Sequence, residues 1–339
     1  MIRFDRMLVV TKHRFMGDTI VATPVIRELR RHSGCRQLDL LTGSAASEVM
    51  RGCPNLDQVM LRGRMRMREM LVMAHKLRQQ HYNAVFLLDR SLSSALLARM
   101  AGIPARIGHR TEFRGWLLTH SLPYEADRPE IECGLELLRS VSLPVENGAT
   151  ELWLAEDERI RGRELLKRFG VEDGSPIIAF QPGANDPYKK QWDTARFAQA
   201  ADALRFSTGA VILLLGGAGE RGVGEVMAEQ MAQKSINLIG QTSLREVMAV
   251  ISECRLLAAG DTGLIHIAAA LGTSTVGVHG PMTATKWGYG PPNHRTVTGT
   301  APKVKRLDRA TNRVGLDALD SEAVISAALD LWKSKVPIS

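Results

Sequence analysis

The chain of 339 residues is 45% hydrophobic and 24% charged with a formal net charge of +8, a balance that suits a globular protein large enough for two cores. No stretch reaches the roughly 18 unbroken apolar residues of a membrane span, and the first residues lead into a strand without a secretory pattern, so a cytoplasmic location is expected. The positive excess favours polyanionic partners. Aromatic residues are only 5% and no nucleic-acid motif occurs, which leaves nucleotides and anionic lipid surfaces and excludes nucleic acid from the expectation.

In chain order, an apolar strand over 7–11 runs into Lys12-His13-Arg14-Phe15-Met16-Gly17-Asp18. Gly17 permits a sharp turn there, which places Asp18 at a strand-to-helix corner. His13 and Arg14 just before it are candidates to face an anionic substrate. A helix is expected over 19–31, with Pro24 near a first turn or at a kink. Strands over 38–41, 58–61 and 84–88 follow. After the second of these comes the basic run Arg62-Gly63-Arg64-Met65-Arg66-Met67-Arg68, which reads as a solvated face or as an anion-contacting loop. A loop with a short strand lies within 102–108, and turn formers over 142–150 mark a linker.

The second half repeats the grammar. A charged helix over 156–169 precedes a strand over 177–180, which enters Gln181-Pro182-Gly183-Ala184-Asn185. Helices over 192–204, 222–233 and 243–251 alternate with strands over 210–215 and 236–239. A final helix over 321–332 has Ser321 as its expected N-cap. Strands alternating with helices in both halves predict two doubly wound α/β domains.

One unit stands out. A strand over 256–259 enters the turn Gly260-Asp261-Thr262-Gly263, a small-residue helix over 264–271 is stopped by Gly272, and a second strand over 274–278 ends in Gly280-Pro281. The amides of Thr262, Gly263 and Leu264 at that helix N-terminus form an anion site suited to a diphosphate. Asp261 lies at the strand's carboxyl end, the ligand edge of open α/β sheets, although an ordinary connection with an Asp cap explains the turn equally well. His266 reads as a core or capping histidine ahead of a ligand contact. Lys189 and Lys190 are placed to meet phosphate charge, one of the two being simply solvated.

Other motifs carry less. Gly217-x-Gly219-x-x-Gly222 follows a strand, but the acidic residue a dinucleotide fold wants about 20 residues on is replaced by Asn237. Cys35, Cys53, Cys133 and Cys254 are scattered and read as small buried hydrophobes in a reducing compartment. No Asp-x-Asp pair exists to hold a metal-bound diphosphate. Charge on a leaving diphosphate must then be met by helix ends and basic side chains.

Three blocks together resemble glycosyltransferase family 9, the ADP-heptose:lipopolysaccharide heptosyltransferases, over nearly the whole chain. They are Met16-Gly17-Asp18 with Ala22-Thr23-Pro24-Val25-Ile26-Arg27-Glu28-Leu29, Pro182-Gly183-Ala184 with Lys190-Gln191-Trp192, and Asp261-Thr262-Gly263-Leu264-Ile265-His266-Ile267-Ala268 with Gly280-Pro281. The resemblance implies a GT-B architecture of two facing Rossmann-like doubly wound domains. The acceptor domain would span 1–150 and the nucleotide-sugar domain 151–320, with a C-terminal helix (321–339) packing back on the first domain.

It also implies an inverting, metal-independent, monomeric enzyme without a cofactor that moves heptose from ADP-heptose to a lipopolysaccharide inner-core acceptor. Asp18 would be the general base, for which an ordinary carboxylate pKa of about 4 suffices. Lys190, Gly183, Asp261, Thr262, Gly263 and Leu264 would hold the donor, with Glu220 at the ribose. His13, Arg14, Arg62, Arg64 and Arg66 would meet a phosphorylated glycolipid, with peripheral contact at the inner face of the membrane. The residues before Met16 are bulkier and more basic than many members carry, so acceptor contacts differ. A related GT-B enzyme using another nucleotide sugar or a soluble acceptor is the alternative, and a non-catalytic nucleotide- or carbohydrate-binding protein is a third reading.

Overall fold

The computed structural model describes residues 4–300 and 309–334, apart from the side chains of Pro187, Lys189, Met282 and Arg309. The chain divides into two compact units, Met1–Trp153 and Leu154–Ser339, the break falling just beyond the turn-rich stretch that the sequence marks as a linker.

In the first unit, strands β1 (Arg6–Val10), β2 (Gln37–Thr42), β3 (Gln58–Leu61), β4 (Ala84–Leu87), β5 (Ala105–His109) and β6 (His120–Leu122) form one sheet in the order β3-β2-β1-β4-β5-β6. The second unit repeats this with β7 (Ile177–Gln181), β8 (Val211–Leu214), β9 (Ile236–Asn237), β10 (Leu256–Gly260), β11 (Ser274–His279) and β12 (His294–Thr298), ordered β12-β11-β10-β7-β8-β9. Every pairing is parallel, as in Val9↔Leu40 and Val9↔Phe86, or Ala259↔Gly277 and Ala259↔Gln181. Parallel strands need crossovers and are covered on both faces, which explains why β4 and β10 are unbroken apolar runs without alternation. In each unit the connections reverse direction beside the first strand, between β1 and β4 and between β7 and β10.

The first helical region differs from the single helix expected. A short helix, Met16–Ile20, ends at Val21–Ala22, and a second, Thr23–His32, starts with Pro24 in its first turn. The Thr23 hydroxyl donates to Ile20 O at 2.7 Å across the break. Gly17 therefore lies inside a helix, and Asp18 occupies a first helical turn instead of a glycine-made corner. Residues 142–150 are docked on the Thr23–His32 helix: buried Arg27 donates to Ala149 O at 2.9 Å and to Asn147 O at 2.6 Å, and buried Glu28 accepts from the Glu146 amide at 3.0 Å.

The second core is organised by Trp192 and Phe197, whose rings meet edge-on at 4.8 Å, while Trp192 Nε1 donates to Leu319 O at 3.1 Å. The terminal helix, Ser321–Lys333, buries Val324, Ala328 and Leu331 in this same core, against the Thr194–Thr208 helix and β10–β12. Its apolar stripe is thus used within the second unit; residues 335–339 lie outside those described. The N-cap is Asp320, whose carboxylate accepts from the Ala323 amide at 3.0 Å, and not Ser321, whose hydroxyl points to Gln199 at 3.2 Å. Asp320→Ala should therefore lower unfolding stability by about 1 kcal/mol and Ser321→Ala by much less, as read by denaturant titration of the two variants.

Candidate active site

Both candidate sites sit at the reversal points, where the loops after adjacent strands diverge and leave a crevice. In the first unit the loop after β1 is pinned at its base by three buried hydroxyls. Thr11 Oγ1 donates to Thr42 Oγ1 at 2.7 Å and lies 2.7 Å from Thr19 Oγ1. The loop then passes so close to Gly43 that a Cβ there would lie 1.9 Å from His13 O.

Asp18 is mostly buried at this point and forms an ion pair with Lys12. Burial raises its pKa, Lys12 opposes this by charge and hydrogen bond, Glu130 adds to the rise and Arg90 subtracts, and the net displacement is upward. The ordinary carboxylate pKa expected from sequence is thus corrected by desolvation. Lys12 itself went unmarked in the sequence, although it directly follows the strand at the reversal point.

The neighbouring loop after β4 supplies Asp89, which lies between two buried guanidinium groups. Arg62 Nη2 donates to its Oδ2 at 2.6 Å, and Arg114 Nη1 lies 3.5 Å from Oδ1. Arg62 also donates to Ser94 Oγ at 2.6 Å and to Thr11 O at 2.9 Å. Arg62, expected to contact the acceptor, lines the cleft described next but is largely internal: its guanidinium ties three loops together, as a buried cation must be paired.

Around it lies a cleft of about 480 Å³ lined by Lys12, His13, Arg14, Arg64 and Arg90, among others. Arg64 and Arg14 are exposed on its wall; Arg66 is exposed beside it, its amide donating to Glu69 at 2.6 Å. Burial, Arg62 and Arg14 lower the His13 pKa, so its ring is neutral in a cationic setting that an anion would relieve.

In the second unit the loops after β7, β8 and β10 are brought together. The Thr262 hydroxyl donates to Gln181 Oε1, and Gln181 Nε2 donates to Glu220 Oε1 and Oε2 at 3.3 Å each. Glu220 also accepts from the Gly217 amide at 2.7 Å. Gly183 lies directly opposite it, where a Cβ would sit 2.5 Å from its Oε1 and would push the Glu220 side chain aside. By contrast, a Cβ on Gly219 or Gly222 meets nothing within 4 Å, so the dinucleotide-like glycine pattern does no packing.

With its hydroxyl engaged by Gln181, Thr262 does not cap the Gly263–Ala270 helix with its side chain. The amides of Gly263 and Leu264 open the helix, while the Leu264 side chain goes into the core. Lys190 Nζ lies 2.9 Å from buried Asp261 Oδ2. The Lys190 carbonyl approaches Gly260 so closely that a Cβ there would sit 2.9 Å away, which holds the lysine-bearing loop against the end of β10. The Lys189 side chain lies outside those described.

Burial would raise the Asp261 pKa, but His279, Lys190 and His266 together lower it. His266 is a packed core residue, its Nδ1 2.9 Å from the Tyr289 hydroxyl and its ring edge-on to Trp287. His279, which the sequence did not mark, is buried at the end of β11 with neither ring nitrogen hydrogen-bonded among the described residues.

Cys35, Cys133 and Cys254 are buried and free, and Cys53 is half-buried and free. Among the described residues one group brings metal-type donors together, Glu28, His32 and Glu146. It is the ion-pair cluster that docks residues 142–150, away from both reversal points. No helix among the described residues is long and apolar enough to cross a membrane.

Two doubly wound units of one topology, each with polar and cationic loops at its reversal point, have the GT-B fold. The solved structure of a glycosyl transferase family 9 protein from Veillonella parvula superposes with a TM-score of 0.86 at 20% identity over 98% of each chain. That of E. coli ADP-heptose lipopolysaccharide heptosyltransferase II gives 0.76 at 23% identity over 96% of this chain and 98% of its own. In sequence the chain is 26% identical over 290 residues to lipopolysaccharide heptosyltransferase 2 of Salmonella typhimurium, covering 79% of this chain and 81% of that protein. It is 29% identical over 255 residues to lipooligosaccharide heptosyltransferase 2 of Haemophilus influenzae, covering 68% and 70%. The model for glycosyltransferase family 9 (heptosyltransferase) matches residues 70–313, and the chain belongs to that family.

Buried histidines give the protein an acid response, in the first unit through His109, lowered by burial from 6.5 to about 4, and in the second through two more. Burial lowers His266 and His294 from 6.5 to about 4. Their contribution is complete above pH 6.5 and is lost as pH falls toward 4, because the unfolded chain takes up protons that the folded one refuses. Asp261, lowered from 3.8, adds its own loss only below that value. Denaturant unfolding at pH 7, 6 and 5 should show falling stability with net proton uptake on unfolding; a flat profile would contradict this account.

Proposed function

We propose that the protein transfers a heptose from ADP-heptose to a phosphorylated inner-core acceptor of lipopolysaccharide, with inversion at the anomeric carbon and without metal. The relatives carry the substrate part of this reading: they are named as lipopolysaccharide or lipooligosaccharide heptosyltransferases, and E. coli heptosyltransferase structures hold ADP or ADP-2-deoxy-2-fluoro heptose. The single observation that carries the mechanism is Asp18, a desolvated carboxylate at the reversal point of the first unit, paired with Lys12 and raised in pKa.

In this reading the Asp18 carboxylate takes the proton of the acceptor hydroxyl as that oxygen bonds to the anomeric carbon. The bond from that carbon to the diphosphate oxygen breaks on the opposite face, and its electron pair leaves with ADP. Lys12 holds Asp18 ionised against the cost of burial, and desolvation makes the carboxylate the stronger base. Lys190 and the amides of Gly263 and Leu264 receive the charge that develops on the diphosphate. Asp261 orients Lys190. Glu220, hydrogen-bonded to Gln181 and the Gly217 amide, keeps its remaining acceptor capacity for the ribose hydroxyls. His13, Arg14, Arg64 and Arg66 form the anionic-acceptor wall.

Asp18→Asn keeps the shape and removes the base. Transfer should fall by about 100-fold or more while calorimetric binding of ADP stays unchanged. Retained transfer, or lost ADP binding, would remove Asp18 from the role. The same titration with UDP and GDP, and with EDTA present, tests the donor: weaker binding of both and indifference to EDTA are expected.

A further inference from the structure

We infer, resting on the donor reading above, that His279 is a positioning residue of the donor site: donor binding draws a proton onto its ring, which pairs with Asp261 and releases Lys190 to the diphosphate. The parallel register of β10 and β11 sets Ala259 beside Gly277 and Gly260 beside Val278, so Asp261 and His279 follow side by side at the carboxyl edge. The imidazole folds back along its own strand into the space left by Gly277, where a Cβ would lie 2.8 Å from its Nε2. His279 is 1% exposed, and neither ring nitrogen has a hydrogen-bond partner among the described residues. Buried polar groups are normally paired, so two orphaned nitrogens beside a buried carboxylate require an explanation.

The charges around the ring come from three elements. Asp261 ends β10, Lys190 lies on the short Pro187–Lys190 helix, and His266 lies on the Gly263–Ala270 helix with its Nδ1 engaged by Tyr289. From the other side β12 sets uncharged Thr298 beside His279, and the Arg309–Ala318 helix packs uncharged Asn312 on Gly280. Burial and Lys190 hold the ring neutral against the pull of Asp261. Of the Lys190–Asp261 pair, the lysine side chain is 29% exposed and the carboxylate 5%, so a ligand reaches the lysine.

A diphosphate reverses this balance. It draws the Lys190 ammonium away from Asp261, which removes the cation that opposed a charged imidazole and adds negative charge that favours one. A buried carboxylate left without a counterion is strongly disfavoured, so the lost cation has to be replaced. The imidazole already lies beside it. The proton enters from the medium as the donor binds and returns to it when the nucleotide leaves, so Asp261 is paired in both states and Lys190 is available in one.

The test is calorimetric titration of the full-length protein with ADP-heptose, without acceptor, in buffers of different ionisation enthalpy. The diphosphate diester of this donor carries no group that titrates near neutrality, so any proton counted belongs to the protein. At pH 7 about one proton should be taken up per donor bound, and affinity should fall by up to about tenfold per pH unit above that. His279→Phe and His279→Gln should each bind about tenfold more weakly at pH 7, with neither the proton uptake nor the pH slope. A histidine that only filled space would leave the proton count unchanged when replaced. Donor binding by the parent without proton uptake, or uptake that persists in both variants, would overturn the proposal. Absence of ADP-heptose binding would instead remove the donor reading beneath it, so the two failures are distinguishable.

Discussion

All-parallel pairing is the constraint on which both units depend. A parallel strand cannot be reached by a tight turn, so each connection crosses over the sheet, and every βα loop emerges at the same carboxyl edge. Where winding reverses, beside β1 and again beside β7, neighbouring loops run apart and leave backbone and side chains accessible. Asp18, Lys12 and Asp89 meet at the first reversal, and Lys190, Asp261, Gln181 and Glu220 gather at the second. These polar groups meet there because the diverging loops leave a crevice at each reversal.

Buried charge follows from the same crowding. At the first reversal Asp89 is neutralised by Arg62 and Arg114, while Asp18 pairs with Lys12. At the second, Asp261 is held ionised by Lys190 and two neighbouring histidines. One carboxylate is raised and the other lowered although both are largely buried: at Asp18 the nearby Glu130 adds to desolvation against Lys12 and Arg90, whereas at Asp261 His279, Lys190 and His266 all oppose it.

Glycine is used at contact points rather than as punctuation. Gly43, Gly183 and Gly260 sit where a Cβ would collide with His13 O, Glu220 or Lys190 O. Each lets a functional loop approach a strand end more closely than any side chain would permit. Gly219 and Gly222, which form the more recognisable pattern, meet no such demand. A glycine motif is therefore informative only through the atom that occupies the missing Cβ position.

The alternation of apolar runs with amphipathic stretches was enough to reveal two doubly wound halves, since burial on both faces leaves β4 and β10 no polar positions. The Asp261-Thr262-Gly263 turn was likewise legible, because a strand, a turn and a small-residue helix are local features, and Gly272 ends that helix with φ +83° as its position implied. Long-range partners were not legible. That Arg62 is internal depends on Asp89 and Ser94 arriving from other loops. That the terminal helix belongs to the second unit depends on the space beside Phe197, and that Asp320 supplies its cap depends on where the chain turns. Gln181 and His279 gave no signal because each closes an apolar strand like any other end residue. Sequence periodicity reports which face of an element is apolar; only tertiary packing decides what that face, and each charge upon it, will meet.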